Sequence, residues 1–264
     1  MLTLTRSNFY LGQAVGEIFV VFAVVIVAVI LHALFQNRFK PEVLRRHNDV
    51  AGFLFSAVGV IYAVVLGFVV VVVWEKYDVT VSNVEAEVAA VADLYRSVGA
   101  YPEPLRSEVR SELGRYVDQM IQAEWPLMSA DVNINPDVLI LERAAHQVET
   151  FVPKTAAQSN AQQAATAQVV RLFDSRRDRL IHSAPSVPGV LWFALVIGAL
   201  AMLAFAFLFG SENRPAQLVM TAILAGLIAV LFVVIDEFDS PFSGSVSISD
   251  DGWVALQQHL NQIP

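Results

Sequence analysis

Residues 51–74 read AGFLFSAVGVIYAVVLGFVVVVVW, twenty-four positions without one charged side chain. A bilayer core about 30 Å thick needs roughly 20 apolar residues in a helix, and this run supplies them. Glu75-Lys76-Tyr77-Asp78 follows at once, and then Val81, Val84, Val88, Val91, Leu94 and Tyr95 recur at helical spacing. The same helix is therefore expected to continue out of the membrane into water. Three more apolar runs lie outward from it. Residues 18–35 hold His32 as their only ionisable group, 187–209 are entered through Pro188, and 216–235 stay uncharged until Asp236. Trp74, Tyr77 and Trp192 fall where an aromatic belt would sit.

Composition agrees with four spans. The chain is 264 residues long, 56% hydrophobic and 16% charged, against about 25% charged in a soluble domain. Its formal net charge is −8, so nucleic acid is not an expected partner, because phosphate recognition needs a basic patch. There is no cysteine, which excludes disulfides, thiolate metal sites and cysteine nucleophiles. The first apolar run is longer than a signal-peptide core and ends in a basic stretch, so no cleaved leader is expected.

The connections are unequal. Residues 36–50 and 210–215 are short, while 75–186 are long and polar. Tyr101-Pro102 and Pro104 should break the long helix, and 105–125 read as another helix stopped by Pro126. Asn135-Pro136 reads as a cap with proline at the first helical position, opening a helix to about residue 151. An alanine- and glutamine-rich helix covers 159–183. No alternating strand pattern appears. The expected fold is an all-α membrane protein. Residues 1–74 hold the first two spans, 75–186 form a helical extramembrane domain, 187–235 hold the other two spans, and 236–264 form an acidic tail. Within that tail 245–249 alternate polar and apolar, as a short extended segment would.

Basic residues flank the spans on both sides. Arg38, Lys40, Arg45, Arg46 and Arg214 lie in the short loops, whereas Lys76, Arg171, Arg176, Arg177 and Arg179 lie on the domain side. The positive-inside rule thus leaves the side of the domain open.

Two patterns on the second span carry function. Gly52, Ser56, Gly59, Ala63 and Gly67 keep one helical face small, and small residues let helix backbones approach closely in lipid. The stripe suits packing within one subunit and packing between copies equally. Beside it run Val60, Val64 and Phe68, four residues apart. Such a row is ordinarily core or lipid-facing; in a ring of subunits it makes a narrow hydrophobic neck. No Asp, Glu, Lys or Arg lies deep in any span, which argues against proton pumps and ion-coupled carriers.

After the fourth span come Asp236, Glu237 and Asp239. Carboxylates at a helix C-terminus oppose the macrodipole, so a partner is expected: either Arg176, Arg177 and Arg179, or a bound cation such as calcium. The histidines (His32, His47, His146, His182, His259) are scattered, and no phosphate loop or nucleophile elbow is present. Catalysis is not expected.

Val65-Leu66-Gly67-Phe68, then Trp74-Glu75-Lys76-Tyr77-Asp78 and Leu94-Tyr95-Arg96, resemble the second helix of bestrophin anion channels, and Pro241-Phe242-Ser243-Gly244 resembles their Pro-Phe-Gly. The whole chain looks like the bestrophin-like family of unknown function (the DUF4239 family). Its hallmarks are the four-span layout, Arg-x-x-Arg-Leu at 176–180, Val187-Pro188 with Leu191-Trp192, and Asp-x-Pro-Phe-Ser-Gly at 239–244. The resemblance implies a pentamer with four spans per subunit, a neck at Val60, Val64 and Phe68, and a cytoplasmic domain. This sequence departs from the pattern in three places. Ile61-Tyr62 stand where the animal channels have a proline before the neck. The long acidic run of the calcium clasp is reduced to Asp236, Glu237 and Asp239, and the paired tryptophans of the bacterial channels to Trp74. The expected function is a homo-oligomeric pore for small anions such as chloride, in a bacterial inner membrane; the alternative is a non-transporting sensor or scaffold.

Overall fold

The computed structural model describes residues 2–39, 44–130 and 138–262, with side chains from residue 12 on. Lys40 and the Asn135-Pro136 cap lie outside the described residues. The helices, in chain order, are α1 (Leu2–Arg38), α2 (Asn48–Ser97), α3 (Leu105–Gln119), α4 (Trp125–Ser129), α5 (Leu139–Thr150), α6 (Ala156–Ser183), α7 (Gly189–Leu208), α8 (Arg214–Asp239) and α9 (Asp251–Leu260). No strand occurs among the described residues. Four helices, α1, α2, α7 and α8, are long and apolar enough to cross a membrane.

The chain divides into two compact units: residues 1–76 with 186–239, and residues 77–185 with 240–264. The first unit is the membrane bundle. Its most extensive pairing is α1 against α8, where Ala28 on α1 and Ala225 and Ala229 on α8 are buried. A Cβ on Gly226 would lie 3.4 Å from Val25 Cγ2. Small side chains here bring backbones together, the main source of helix association where lipid removes the hydrophobic drive. On α2 the residues turned inward are Leu66, Val69 and Val73, packed with Leu195 and Ile235. Gly198 admits the Tyr62 ring, which would collide with a Cβ placed there.

The second unit has a hydrophobic core of its own. Val84, Val91 and Leu94 from the end of α2, with Val98 just past it, meet Val109, Leu113 and Tyr116 of α3 and Val169 and Leu172 of α6. Tyr101 leaves helical geometry after α2, and α3 starts at Leu105 past Pro104. Thr155 caps α6, its hydroxyl accepting from the Gln158 amide at 3.2 Å.

Several details depart from the sequence expectations. Pro126 does not stop its helix: a π-turn at Met120–Glu124 precedes it, and Pro126 falls in the first turn of α4, where its missing N–H costs little. The tail holds a helix that was not expected: residues 251–260 form α9, whose Trp253 is wholly buried and meets Tyr116 edge-on at 5.9 Å, while Ser245 and Val246, expected in an extended segment, lie in a turn. α1 begins well before residue 18.

Candidate functional site

In an α-helix of 3.6 residues per turn, positions four apart drift by about 40°. Val60, Val64 and Phe68 therefore share one side of α2, and they are 66%, 52% and 67% exposed in the single chain. Phe53, Ile61, Val71 and Val72 share that outward arc. The opposite side carries Leu66, Val69 and Val73, which pack on the chain's own helices. The three neck candidates are thus not core residues of the subunit. They face lipid or another copy.

The small-residue stripe splits in two. Gly52 and Gly59 are used inside the bundle: their Cβ positions would lie 3.8 Å from the Phe209 ring and 3.3 Å from Met202 Cε. Ser56, Ala63 and Gly67 remain exposed, and nothing stands within 4 Å of a Cβ on Gly67. Helical geometry puts this stripe on the shoulder between the buried side and the side of Val60 and Val64. A groove of about 410 Å³ follows it, lined by Gly59, Tyr62, Ala63, Gly67, Leu227 and Leu231 among others.

The acidic group after the fourth span is built differently from expectation. Asp239 Oδ1 accepts from the Ser186 amide at 2.7 Å, the Ser186 hydroxyl at 2.9 Å and the Val187 amide at 3.2 Å. Lys76 Nζ lies 3.6 Å from the same oxygen and donates to the Asp239 carbonyl at 2.9 Å. Asp239 thus holds the chain entering α7 and is paired with Lys76. The expected pairing with Arg176, Arg177 and Arg179 is corrected, since Arg177 pairs with Asp174 at 3.1 Å and the other two are buried elsewhere. Among the described residues, no three His, Asp or Glu side chains gather as a metal site, and this holds for Asp236, Glu237 and Asp239 as placed in the single chain.

The sequence matches the Bestrophin-like domain over residues 22–252. The chain belongs to the bestrophin-like family. Two crystal structures of a bacterial bestrophin homologue from Klebsiella pneumoniae, each carrying one mutation, share its fold. The first is 13% identical with a TM-score of 0.67, covering 91% of this chain and 97% of that one. The second is also 13% identical with a TM-score of 0.66, covering 93% and 99%. Another crystal structure, described as that of a membrane protein, superposes at a TM-score of 0.63 and 13% identity, over 89% and 97%. No curated protein matches.

In this bestrophin-like chain the Arg-x-x-Arg-Leu motif has a structural explanation. Arg179 Nε donates to Glu87 Oε2 at 2.6 Å, and its Nη2 donates to Glu87 Oε1 at 3.2 Å and Glu124 Oε2 at 3.1 Å. Arg176 Nη2 donates to Glu124 Oε1 at 2.7 Å and its Nη1 to the Tyr116 oxygen at 2.9 Å. Tyr116 in turn donates to Glu87 Oε1. Two arginines and two glutamates cancel in a space that excludes water, all five side chains being buried. Burial alone would lower the Arg179 guanidinium, but the Glu87 carboxylate outweighs it and holds the group above its ordinary range. Burial, reinforced by Glu87, pushes the Tyr116 hydroxyl well above the usual tyrosine value.

The Pro-Phe-Ser-Gly motif is explained likewise. The Ser243 amide donates to the Ser240 carbonyl at 3.1 Å, and Gly244 takes a φ of 87°, a left-handed conformation that favours glycine. Phe242 is buried and meets Trp125 edge-on at 5.3 Å.

Glu87, Glu124 and Tyr116 were not singled out from sequence. Glu87 lies three residues before Ala90 and four before Val91 on the buried side of α2, a charge on an apolar face. That placement was the available signal. Glu124 gave none, because the π-turn that turns it inward has no sequence signature.

Proposed function

We propose that the protein is a homo-oligomeric membrane pore, a pentamer by family resemblance, in a bacterial inner membrane. It passes small anions such as chloride through a hydrophobic neck formed by Val60, Val64 and Phe68 of each copy. One observation carries the reading: these three side chains occupy the middle of the outward arc of α2, while its opposite side is fixed to the subunit's own bundle. Membership of the bestrophin-like family and likeness in fold to the Klebsiella bestrophin homologue support it. An apolar neck favours weakly hydrated ions, and chloride sheds water more easily than a small cation. Glu75, exposed two helical turns after Phe68, acts in the opposite sense. Reversal potentials of the reconstituted protein in asymmetric KCl decide the ion class.

Planar-bilayer recording tests the pore itself. Phe68→Ala widens the neck and should raise unitary conductance. Wild-type protein that is folded and oligomeric yet silent in the bilayer contradicts the proposal.

The second reading, a sensor or scaffold without transport, draws on α2, which is one helix from the membrane span to Ser97 and carries Glu87 into the buried charge cluster. A dimer with no axial cavity favours this reading over the first.

A further inference from the structure

His32, within the first span, has no exposed surface. Its ring stacks on Phe207 of α7 with centroids 4.6 Å apart. Its Nδ1 lies 2.6 Å from Thr221 Oγ1 on α8, and its Nε2 lies 3.3 Å from Gln36 Nε2, one turn further along α1. Gln36 Nε2 also donates to Gln217 Oε1 at 3.0 Å. Gln217 Nε2 donates to the carbonyl of Phe209, the residue that ends α7.

The last bond fixes the direction of all the others. A backbone carbonyl only accepts, so Gln217 must offer it the amide NH2 and present its oxygen to Gln36. Gln36 must then offer its own NH2, and the second hydrogen of that group points at His32 Nε2. That nitrogen has to accept, so it carries no proton. The single proton of the ring sits on Nδ1 and is donated to Thr221.

A second proton has nowhere to go without breaking this chain. On Nε2 it would set N–H against N–H. Gln36 would then have to turn over, placing its oxygen against Gln217 Oε1 and ending the relay toward Phe209. No charged side chain faces the ring among the described residues: α1 offers Gln36, α8 offers Thr221 and Gln217, and α7 offers Phe207. Nothing nearby therefore offsets an added positive charge. A groove of about 560 Å³ reaches the relay, lined by Gln217 and Thr221 together with Asn48 and Ser211 of the short-loop end.

We propose that His32 is a proton-binding site that works as a latch. Neutral, it ties α1 to α8 and, through Gln36 and Gln217, to the turn between α7 and α8. On taking up a proton it releases that turn and the start of α8. An ionisable group inside a span is a natural candidate for such a role, and of the ionisable side chains histidine changes its charge closest to neutral pH. The latch does not depend on whether the protein conducts.

Amide hydrogen exchange of the full-length protein in lipid nanodiscs, at pH 7.5 and pH 5.5, tests this. Protection of peptides covering residues 209–221 is expressed against the intrinsic exchange rate at each pH. Wild-type protein should lose protection there by about tenfold at the lower pH, the scale of one or two broken buried hydrogen bonds. His32→Asn, which keeps a donor for Thr221 and does not titrate, should show the same protection at both. Unchanged wild-type protection overturns the proposal, even should the variant fail to fold. Equal losses in wild type and variant overturn it too, since another group would then be responsible.

Discussion

Arg179 on α6 and Glu87 on α2 form an ion pair, 2.6 Å from Nε to Oε2, with neither side chain exposed to solvent. Removing two charges from water is costly, and their attraction balances that cost only with good geometry and further hydrogen bonds. Here Glu124 and Tyr116 complete the shell. Glu87→Ala should destabilise the protein by about 3–5 kcal/mol, because a buried guanidinium loses its main partner. Glu87→Leu combined with Arg179→Met leaves the Arg176–Glu124 pair balanced and should recover most of that loss. Chemical unfolding of the three proteins checks both statements.

Asp239 is the acceptor for the Ser186 and Val187 amides at the entrance to α7. Asp239→Ala leaves those donors without their acceptor and should cost about 2–3 kcal/mol. Thermal unfolding followed by tryptophan fluorescence reads the change.

Tyr101 is buried, stacks on Phe151 at 4.2 Å, and its hydroxyl finds no hydrogen-bond partner among the described residues. Burial pushes this hydroxyl up to about 12. An unfolded tyrosine ionises near pH 10, so between these values the unfolded chain has lost a proton that the folded chain retains. Stability therefore falls as the pH rises from about 10 toward 12. Tyr101→Phe should remove part of this alkaline decline and leave stability at pH 7 unchanged or raised by about 1 kcal/mol. Denaturant midpoints at pH 8 and pH 11 make the comparison.

The four spans, the long second helix and the all-α domain were legible because each rests on a local property, either an uncharged run or a helical period. Pro102 and Pro104 marked the end of α2 for the same reason. Contacts distant in sequence were not legible. Arg176 and Arg179 read as a basic flank of the third span, and only folding shows that Glu87 and Glu124, 92 and 55 residues from Arg179, close on them. The short α9 was hidden because its apolar anchors, Trp253, Leu256 and Leu260, are too few to set a period. The outward direction of Val60, Val64 and Phe68 depends on which side of α2 the other spans cover, and no spacing within α2 states that.

Gly67 lies on the open shoulder of α2, where an added Cβ meets nothing within 4 Å and the groove beside it leaves room for a longer side chain. Gly67→Leu should therefore leave the monomer folded while keeping neighbouring copies apart. Native mass measurement should show the variant shifted to smaller assemblies at unchanged helical content. An unaltered assembly would place the subunit interface elsewhere.

The most direct test of the pore exploits the absence of cysteine. Phe68→Cys and, as a control, Phe193→Cys on α7, also exposed in the single chain, are recorded in bilayers while a water-soluble thiol reagent is added. Current through Phe68→Cys should fall as the reagent reacts, with Phe193→Cys unaffected. Current through Phe68→Cys that persists, with the thiol shown to be unmodified and in contact with lipid, would contradict the account.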